Sequence, residues 1–149
     1  MTVQSAAAFP QTGLALAQQM LATQSDPPIG KTLEFSLVEV EQGRAVFAGT
    51  PGRHAYNPMG IVHGGYAATL LDSACGIATL SRLPAGHKFT TLELKVAYHK
   101  AMDERTGPVR AEATVISIGR RVAFVEGRLS DAEGRLLASA TSTLLVIAP

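Results

Sequence analysis

Hydrophobic residues are most densely clustered between residues 66 and 80. This stretch contains no proline and a single glycine, and its apolar residues fall on nearly every side of a helical repeat, which predicts a helix surrounded by other structure. Its least apolar positions are spaced by four, three, four and three residues and share one line of the helix: Gly65, Thr69, Asp72, Gly76 and Thr79. We expect the carboxylate on this line, Asp72, to be buried and either paired or adapted to acid–base chemistry.

Alternating hydrophobic and polar residues predict six strands around this helix. Two strands precede it, at residues 32–40 and 45–50, and four follow it, at residues 89–99, 109–118, 122–130 and 135–147. In the strand at residues 89–99, the alternation places four residues on one face: Leu92, Leu94, Val96 and Tyr98. Because the connections are short, neighbouring strands should be antiparallel. The predicted fold class is α+β, with a curved six-stranded antiparallel sheet wrapped around the central helix.

The region before the first strand has a different pattern. Residues 13–24 have the composition and amphipathic spacing of a short surface helix, which ends at the breaker Asp26-Pro27-Pro28. We therefore predict an N-terminal helical extension at residues 1–30, followed by a single domain at residues 31–149. Residues 51–60 are rich in glycine and proline and predict a loop that leads into the central helix.

Composition narrows the possible functions. The chain has 149 residues, a formal net charge of +1 and 46% hydrophobic residues, which is typical of one globular domain and gives no reason to expect nucleic-acid binding. A single cysteine, Cys75, excludes an internal disulfide framework and fits a reducing cytoplasm. His54, His87 and His99 lack the spacing of metal ligands, so we expect no metal. The first ten residues lack the features of a signal peptide.

Residues 61–80 have the length of a membrane span, but their polar residues argue against one. An aspartate such as Asp72 near the middle of a membrane costs ~2.5–3.5 kcal/mol on insertion scales. His63 and two glycines also stand at the start of the segment. We therefore expect no interaction with a membrane.

The sequence His63-Gly64-Gly65 directly precedes the predicted helix. Glycines at this position remove side-chain bulk, so that a ligand can approach backbone N–H groups that are unpaired at a helix start and carry the positive end of the helix dipole. Such a place can bind an oxyanion. The alternative is that the two glycines only permit a tight turn or close packing against the sheet.

The spacing between Gly65 and Asp72 has a consequence for the assembly. Seven residues of helix correspond to roughly 10 Å of axial rise. One substrate carbonyl cannot contact both positions, since productive contacts are about 3 Å long. Two antiparallel copies of the helix, from subunits related by a two-fold axis, would bring the start of one opposite the middle of the other. If this chemistry is present, it predicts a homodimer with shared active sites.

The order of these residues resembles a known family. The hotdog-fold acyl-CoA thioesterases, and in particular their phenylacetate-pathway (PaaI-type) branch, have a pattern that this sequence resembles at Asn57, Gly60, His63-Gly64-Gly65, Asp72 and Thr91. The resemblance covers residues 33–147. It implies the hotdog fold, in which a six-stranded antiparallel sheet wraps a long helix, and homodimers that commonly pair into homotetramers.

The resemblance also implies a role for each residue in hydrolysis of an acyl-CoA to a free acid and coenzyme A. Asp72 would be the general base or the nucleophile, and the Gly64 amide would be the oxyanion donor. Asn57 would orient the carbonyl or the attacking water, although Asn-Pro-x-Gly is also an ordinary turn sequence. Thr91 would hold the water or the aspartate. For His63, a structural or positioning role is favoured over that of a catalytic base.

Substrate binding should involve the phosphates of coenzyme A, which is part of the substrate, so no separate cofactor is expected. Arg120 and Arg121, at a predicted hairpin turn, are the leading candidates for these contacts, with Arg53 and Lys88 as further options. Gly65 is expected to lie against the substrate at the helix start.

Two other functions remain open. A hotdog hydratase or dehydratase would bring His63 and Asp72 together across the dimer for proton transfer. A non-catalytic protein that binds thioesters, or that is purely structural, would use Asp72 only to pair with Thr69, Ser73 or Thr91.

Overall fold

The computed structural model describes residues 11–149, which form three α-helices, a short 3-10 turn and one six-stranded sheet. The helices are α1 (Gly13–Thr23), α2 (Pro28–Leu33) and α3 (Gly64–Leu80). The strands are β1 (Phe35–Glu41), β2 (Arg44–Gly49), β3 (Lys88–Tyr98), β4 (Val109–Ile118), β5 (Val122–Asp131) and β6 (Leu136–Ile147). All neighbouring strands are antiparallel, in the order β1-β2-β4-β5-β6-β3. The predicted α+β fold, a curved antiparallel sheet around a central helix, is confirmed.

The core lies between α3 and one side of the sheet. The buried hydrophobic side chains of α3 are Tyr66, Ala67, Leu70, Leu71, Ala74, Cys75 and Ala78. They belong to one cluster with buried strand residues such as Phe35, Phe47, Leu129 and Leu144. Each large side chain that is fully buried in this way contributes about 1.5–3 kcal/mol, so the position of α3 against the sheet is firmly determined.

The opposite face of α3 is only partly covered by this chain. Its partly buried residues include Ala68, Thr69, Asp72, Ser73 and Ile77. The expectation that Asp72 is buried is therefore wrong for the single chain, because the sheet covers α3 from one side only. Gly76, predicted on the same line, is buried, and a Cβ atom there would lie 2.9 Å from the ring of Phe89.

Strand β3 forms one edge of the sheet and pairs with β6. A bulge between Thr91 and Glu93 interrupts its alternation, and Leu92 is 58% exposed whereas Leu94 is partly buried. The prediction that Leu92 and Leu94 share a face is therefore wrong. A β-bulge inserts one unpaired residue, which shifts the alternation of everything that follows it.

The segment before β1 contains one helix more than the sequence predicts. Helix α1 agrees with the prediction for residues 13–24, but residues 32 and 33 end helix α2 instead of starting a strand. Pro28 begins α2 at a position that suits proline, and Glu34 ends it with a left-handed φ of 59°. The predicted boundary at residue 30 falls inside α2 and stays a prediction. Within residues 11–149, none of the helices has the length and hydrophobicity that a membrane span requires.

Candidate active site

Asp72 lies in the middle of α3, on its partly covered face. Its Oδ1 accepts a hydrogen bond of 2.9 Å from the hydroxyl of Thr91, which reaches across from strand β3. The hydroxyl of Thr69, another predicted partner, instead donates to the Gly65 carbonyl at 2.7 Å. The second carboxylate oxygen, Oδ2, makes no hydrogen bond to any of residues 11–149 and is not fully buried. The carboxylate therefore has one oxygen held in place and one oxygen available to water or a ligand.

His63 forms the N-terminal cap of α3. Its Nδ1 accepts a hydrogen bond of 2.8 Å from the Gly65 N–H, so the proton of the neutral ring lies on Nε2. This is the positioning contact that the sequence favours for His63. It also occupies the Gly65 N–H, while a Cβ at residue 65 would lie 2.9 Å from the ring. The missing side chain at residue 65 thus makes room for the His63 ring, and the Gly65 N–H is not available to a ligand.

The Gly64 N–H is the free donor at this end of the helix. It makes no hydrogen bond within residues 11–149, and it lies at the positive end of the α3 dipole. Tyr98 packs directly on this residue: its hydroxyl donates to the Gly64 carbonyl at 2.8 Å, and a Cβ on Gly64 would lie 3.0 Å from its ring. Sequence reasoning missed this contact, because alternation assigns Tyr98 only to a strand face.

Asn57 builds the loop that stands beside this donor. Its Oδ1 accepts hydrogen bonds from the N–H groups of Met59 at 2.9 Å and Ile61 at 3.3 Å, and its own N–H donates to the Ile61 carbonyl at 2.8 Å. The side-chain NH₂ of Asn57 makes no hydrogen bond to the part of the chain that the structure describes. The oxygen therefore forms the turn, and the nitrogen remains able to donate to a ligand.

The site residues fall into two groups on each chain. Asn57 and Gly64, which we call the donor group, line one cleft of about 310 Å³ together with Tyr98 and Lys100. Asp72 and Thr91, which we call the acid group, lie further along α3. Because Asp72 follows Gly64 by eight residues, about 12 Å of helix separates the two groups within one chain.

Arg120 and Arg121 lie far from the donor group of the same chain. They follow β4 at a turn that lies near Leu83 and Val146, just beyond the C-terminal end of α3. Helix α3 is about 25 Å long, and the donor group lies at its other end. Of the further basic candidates, Arg53 is paired with Glu104 at 2.8 Å. Lys100, which is not among the basic residues predicted from the sequence, lines the cleft of the donor group beside His99.

The comparisons with known proteins agree on one family. Residues 59–138, just over half of the chain, match the thioesterase superfamily. A protein of Saccharolobus solfataricus, provisionally named an esterase, is 31% identical over 120 residues, which cover 80% of this chain and 83% of that protein. A 1,4-dihydroxy-2-naphthoyl-CoA hydrolase of Listeria monocytogenes is 28% identical over 116 residues, which cover 78% of this chain and 93% of that protein.

A solved structure extends the likeness to the arrangement of the backbone. The phenylacetic acid degradation protein PaaI of Thermus thermophilus, solved as a mutant, superimposes with a TM-score of 0.72 at 28% identity, over 80% of this chain and 98% of that one. The resemblance to hotdog-fold and PaaI-type thioesterases is confirmed, and so is the predicted class of enzyme, a thioester hydrolase. This chain belongs to the thioesterase superfamily.

Proposed function

We propose that this protein hydrolyses acyl-CoA thioesters to a free carboxylic acid and coenzyme A, at active sites that two subunits share. The observation that carries the proposal is the Asp72 carboxylate, which Thr91 holds at 2.9 Å with one oxygen left available on the partly covered face of α3. A carboxylate placed in this way can remove a proton from water beside a substrate carbonyl.

The distance between the two groups is the argument for a shared site. A thioester carbonyl that accepts a hydrogen bond from Gly64 lies about 12 Å of helix away from Asp72 of the same chain, and catalytic contacts are about 3 Å long. An antiparallel pair of α3 helices about a two-fold axis brings the donor group of each subunit to the acid group of the other. The dimer thereby contains two equivalent active sites.

Two surfaces of the single chain favour such a dimer. The partly covered face of α3 includes Ala68 and Ile77, whose apolar side chains would gain from being covered. Next to this face runs β3, an edge strand of 11 residues whose outer backbone groups have no strand partner among the described residues. A long unpaired edge is a ready template for pairing with a second copy. We extend the proposal to a homotetramer of two such dimers on the strength of the PaaI likeness.

The proposed reaction uses each group in a defined step. Asp72 Oδ2 takes a proton from water while the water oxygen attacks the carbonyl carbon of the thioester. The carbonyl oxygen becomes negative in the tetrahedral intermediate and accepts hydrogen bonds from the partner's Gly64 N–H and the partner's Asn57 side chain. When the C–S bond breaks, coenzyme A leaves as a thiolate, and the proton passes from Asp72 to the sulfur. Direct attack by Asp72 to give a mixed anhydride is the alternative with the same groups.

The proposed substrate class is inferred from the names of the relatives and from the basic residues that could contact phosphates. The relative of Listeria monocytogenes is named a hydrolase of an aromatic acyl-CoA, which supports an acyl-CoA substrate here. Lys100, which lines the cleft of the donor group, is the proposed contact for the phosphates of coenzyme A. The contacts predicted for Arg120 and Arg121, which lie near the C-terminal end of α3, stay a prediction. We propose the cytoplasm as the compartment, because the single cysteine needs no oxidising environment.

The test is release of free thiol from a panel of acyl-CoAs by wild-type protein and two variants. Asp72→Asn should lower kcat by about 10²–10⁴-fold, because it removes the base. Ser73→Ala, at the next position on the same partly covered face, should leave kcat unchanged. Equal rates in wild type and Asp72→Asn would remove Asp72 from the mechanism. Loss of the absorbance of an enoyl-CoA without thiol release would instead support the hydratase alternative.

A further inference from the structure

A second, larger cleft lies at the C-terminal end of α3, about two helical turns beyond the acid group. It has a volume of about 520 Å³ and is bounded by α1, the end of α3 and the start of β3. Its apolar lining residues are Leu16, Met20, Leu80 and Phe89. The size falls within the range of about 300–1,000 Å³ that is typical of small-molecule sites. Most of the lining surface is apolar, and the polar lining residues are Gln19, Thr23, Ser25, His87 and Lys88.

Helix α1 forms a fixed wall of this cleft. Its Gly13 N–H donates to the Leu83 carbonyl at 3.0 Å, and a Cβ at residue 13 would lie 1.8 Å from the Leu80 carbonyl oxygen. Ala17, one turn further on, is completely buried. Glycine and alanine thus let α1 lie very close to the end of α3, while Leu16 and Met20 point their partly buried side chains into the cleft.

The cleft and the acid group lie on either side of one aromatic ring, and neither Asp72 nor Thr91 lines the cleft. On α3, Asp72, Gly76 and Leu80 follow one another at intervals of four residues, and this line leads over about 12 Å from the carboxylate to the cleft. Phe89 lies against Gly76 on this line and also lines the cleft. Because Phe89 is two residues before Thr91 on β3, the acid group and the cleft share the same two elements.

We propose that this cleft holds the apolar end of the acyl chain of the substrate, and that α1 sets the length of chain that fits. The inference rests on the proposed function, in which the thioester carbon lies at Asp72. A hydrocarbon chain that extends from that carbon along α3 passes Phe89 and reaches Leu16 and Met20. Each methylene group that it buries should strengthen binding roughly fourfold. The wall itself lies outside residues 59–138, the segment that matches the family.

The experiment measures binding separately from turnover. Non-hydrolysable thioether analogues of coenzyme A with butyl, octyl and dodecyl chains are titrated into the full-length protein by calorimetry, and hydrolysis of the matching acyl-CoAs is followed in parallel. Leu16→Trp fills the cleft from α1. Gln19→Trp does so from an exposed position that lines the cleft, and Gln18→Trp is its matched control, because Gln18 is an exposed neighbour that does not line it.

In the wild type, the dodecyl analogue, whose chain is long enough to span the roughly 12 Å from Asp72 to the cleft, should bind at least tenfold more tightly than the butyl analogue. Leu16→Trp and Gln19→Trp should remove most of this gain without weakening the butyl analogue, whereas Gln18→Trp should retain it. Equal affinity for all chain lengths in the wild type would overturn the inference, and so would the same chain-length dependence in all variants. If the wild type releases thiol and the variants show the same chain-length dependence as the wild type, the proposed function stands and only the role of α1 is rejected.

Discussion

The hydroxyl of Thr91 donates a hydrogen bond of 2.9 Å to Asp72 Oδ1 and so joins the edge strand β3 to the middle of α3. The bond fixes one carboxylate oxygen and leaves the other, Oδ2, without a partner among residues 11–149. A base that must take a proton from water in one defined position benefits from this arrangement, since rate depends steeply on the alignment of the reacting groups.

The Thr91 hydroxyl should therefore matter more for rate than for substrate binding. Thr91→Val keeps the branched shape but removes the donor, and we expect kcat to fall by about 10–100-fold through misalignment of Asp72, with little change in KM. Thr91→Ser keeps the donor and should retain most of the rate. Steady-state kinetics of both variants, with thermal unfolding as a check of the fold, make the measurement. Equal kcat values for the two variants would show that the hydrogen bond does not position the base.

Asn57 offers a way to separate loop formation from catalysis. Asn57→Asp retains the Oδ1 that accepts from Met59 and Ile61, so the Tm should remain close to that of the wild type. The change removes the NH₂ donor and puts a negative charge beside the developing oxyanion, so kcat should fall by about 10²–10³-fold. The comparison is with Asn57→Ala, which should lose both stability and activity. Full activity in Asn57→Asp would exclude the side-chain nitrogen from the oxyanion site.

Cys75 should be chemically inert in the folded protein. Burial, and secondarily the negative charge of Asp72, raises the pKa of its thiol to about 12, and its side chain is completely buried. Only the thiolate is reactive, and it is nearly absent below pH 9, so raising the pH from 7 to 9 should not produce labelling. A thiol reagent should leave the native protein unmodified and fully active, and should label one cysteine after unfolding. Rapid labelling of the native protein with loss of activity would contradict this burial.

Periodic patterns predicted the central helix and all six strands, because alternation and the helical repeat are local properties of the sequence. The patterns missed helix α2 and the bulge in β3, because both depend on single residues and on the contacts that these residues make. Residues 32 and 33 alternate like a strand, but Pro28 starts a helix that includes them. The bulge after Thr91 cannot be predicted from hydrophobicity, because Leu92 is as apolar as Leu94 and only the pairing with β6 shows that it lies outside the regular alternation.

Part of the site could be predicted because some of its residues are conspicuous in the local sequence. The two glycines that begin α3 and the carboxylate in its middle stand out on the sequence, because both are unusual in an apolar helix. The contact of Tyr98 with Gly64 joins residues 34 positions apart, and no local pattern indicates it. The partly open face of α3 was also missed, since a helix with apolar residues on all sides looks the same whether the sheet or a second subunit covers it.

The proposed mechanism requires active sites that combine the donor group of one subunit with the acid group of the other. Asp72→Asn and Asn57→Asp should each be nearly inactive alone, and their mixed dimer should contain one intact site and one site with both changes. After unfolding and refolding of an equimolar mixture, with native mass spectrometry confirming mixed dimers, thiol release should recover to about a quarter of the wild-type rate, because half of the dimers are mixed and each has one intact site. Activity no greater than the sum of the two separate variants, in a sample that contains the mixed dimer, would contradict the shared site.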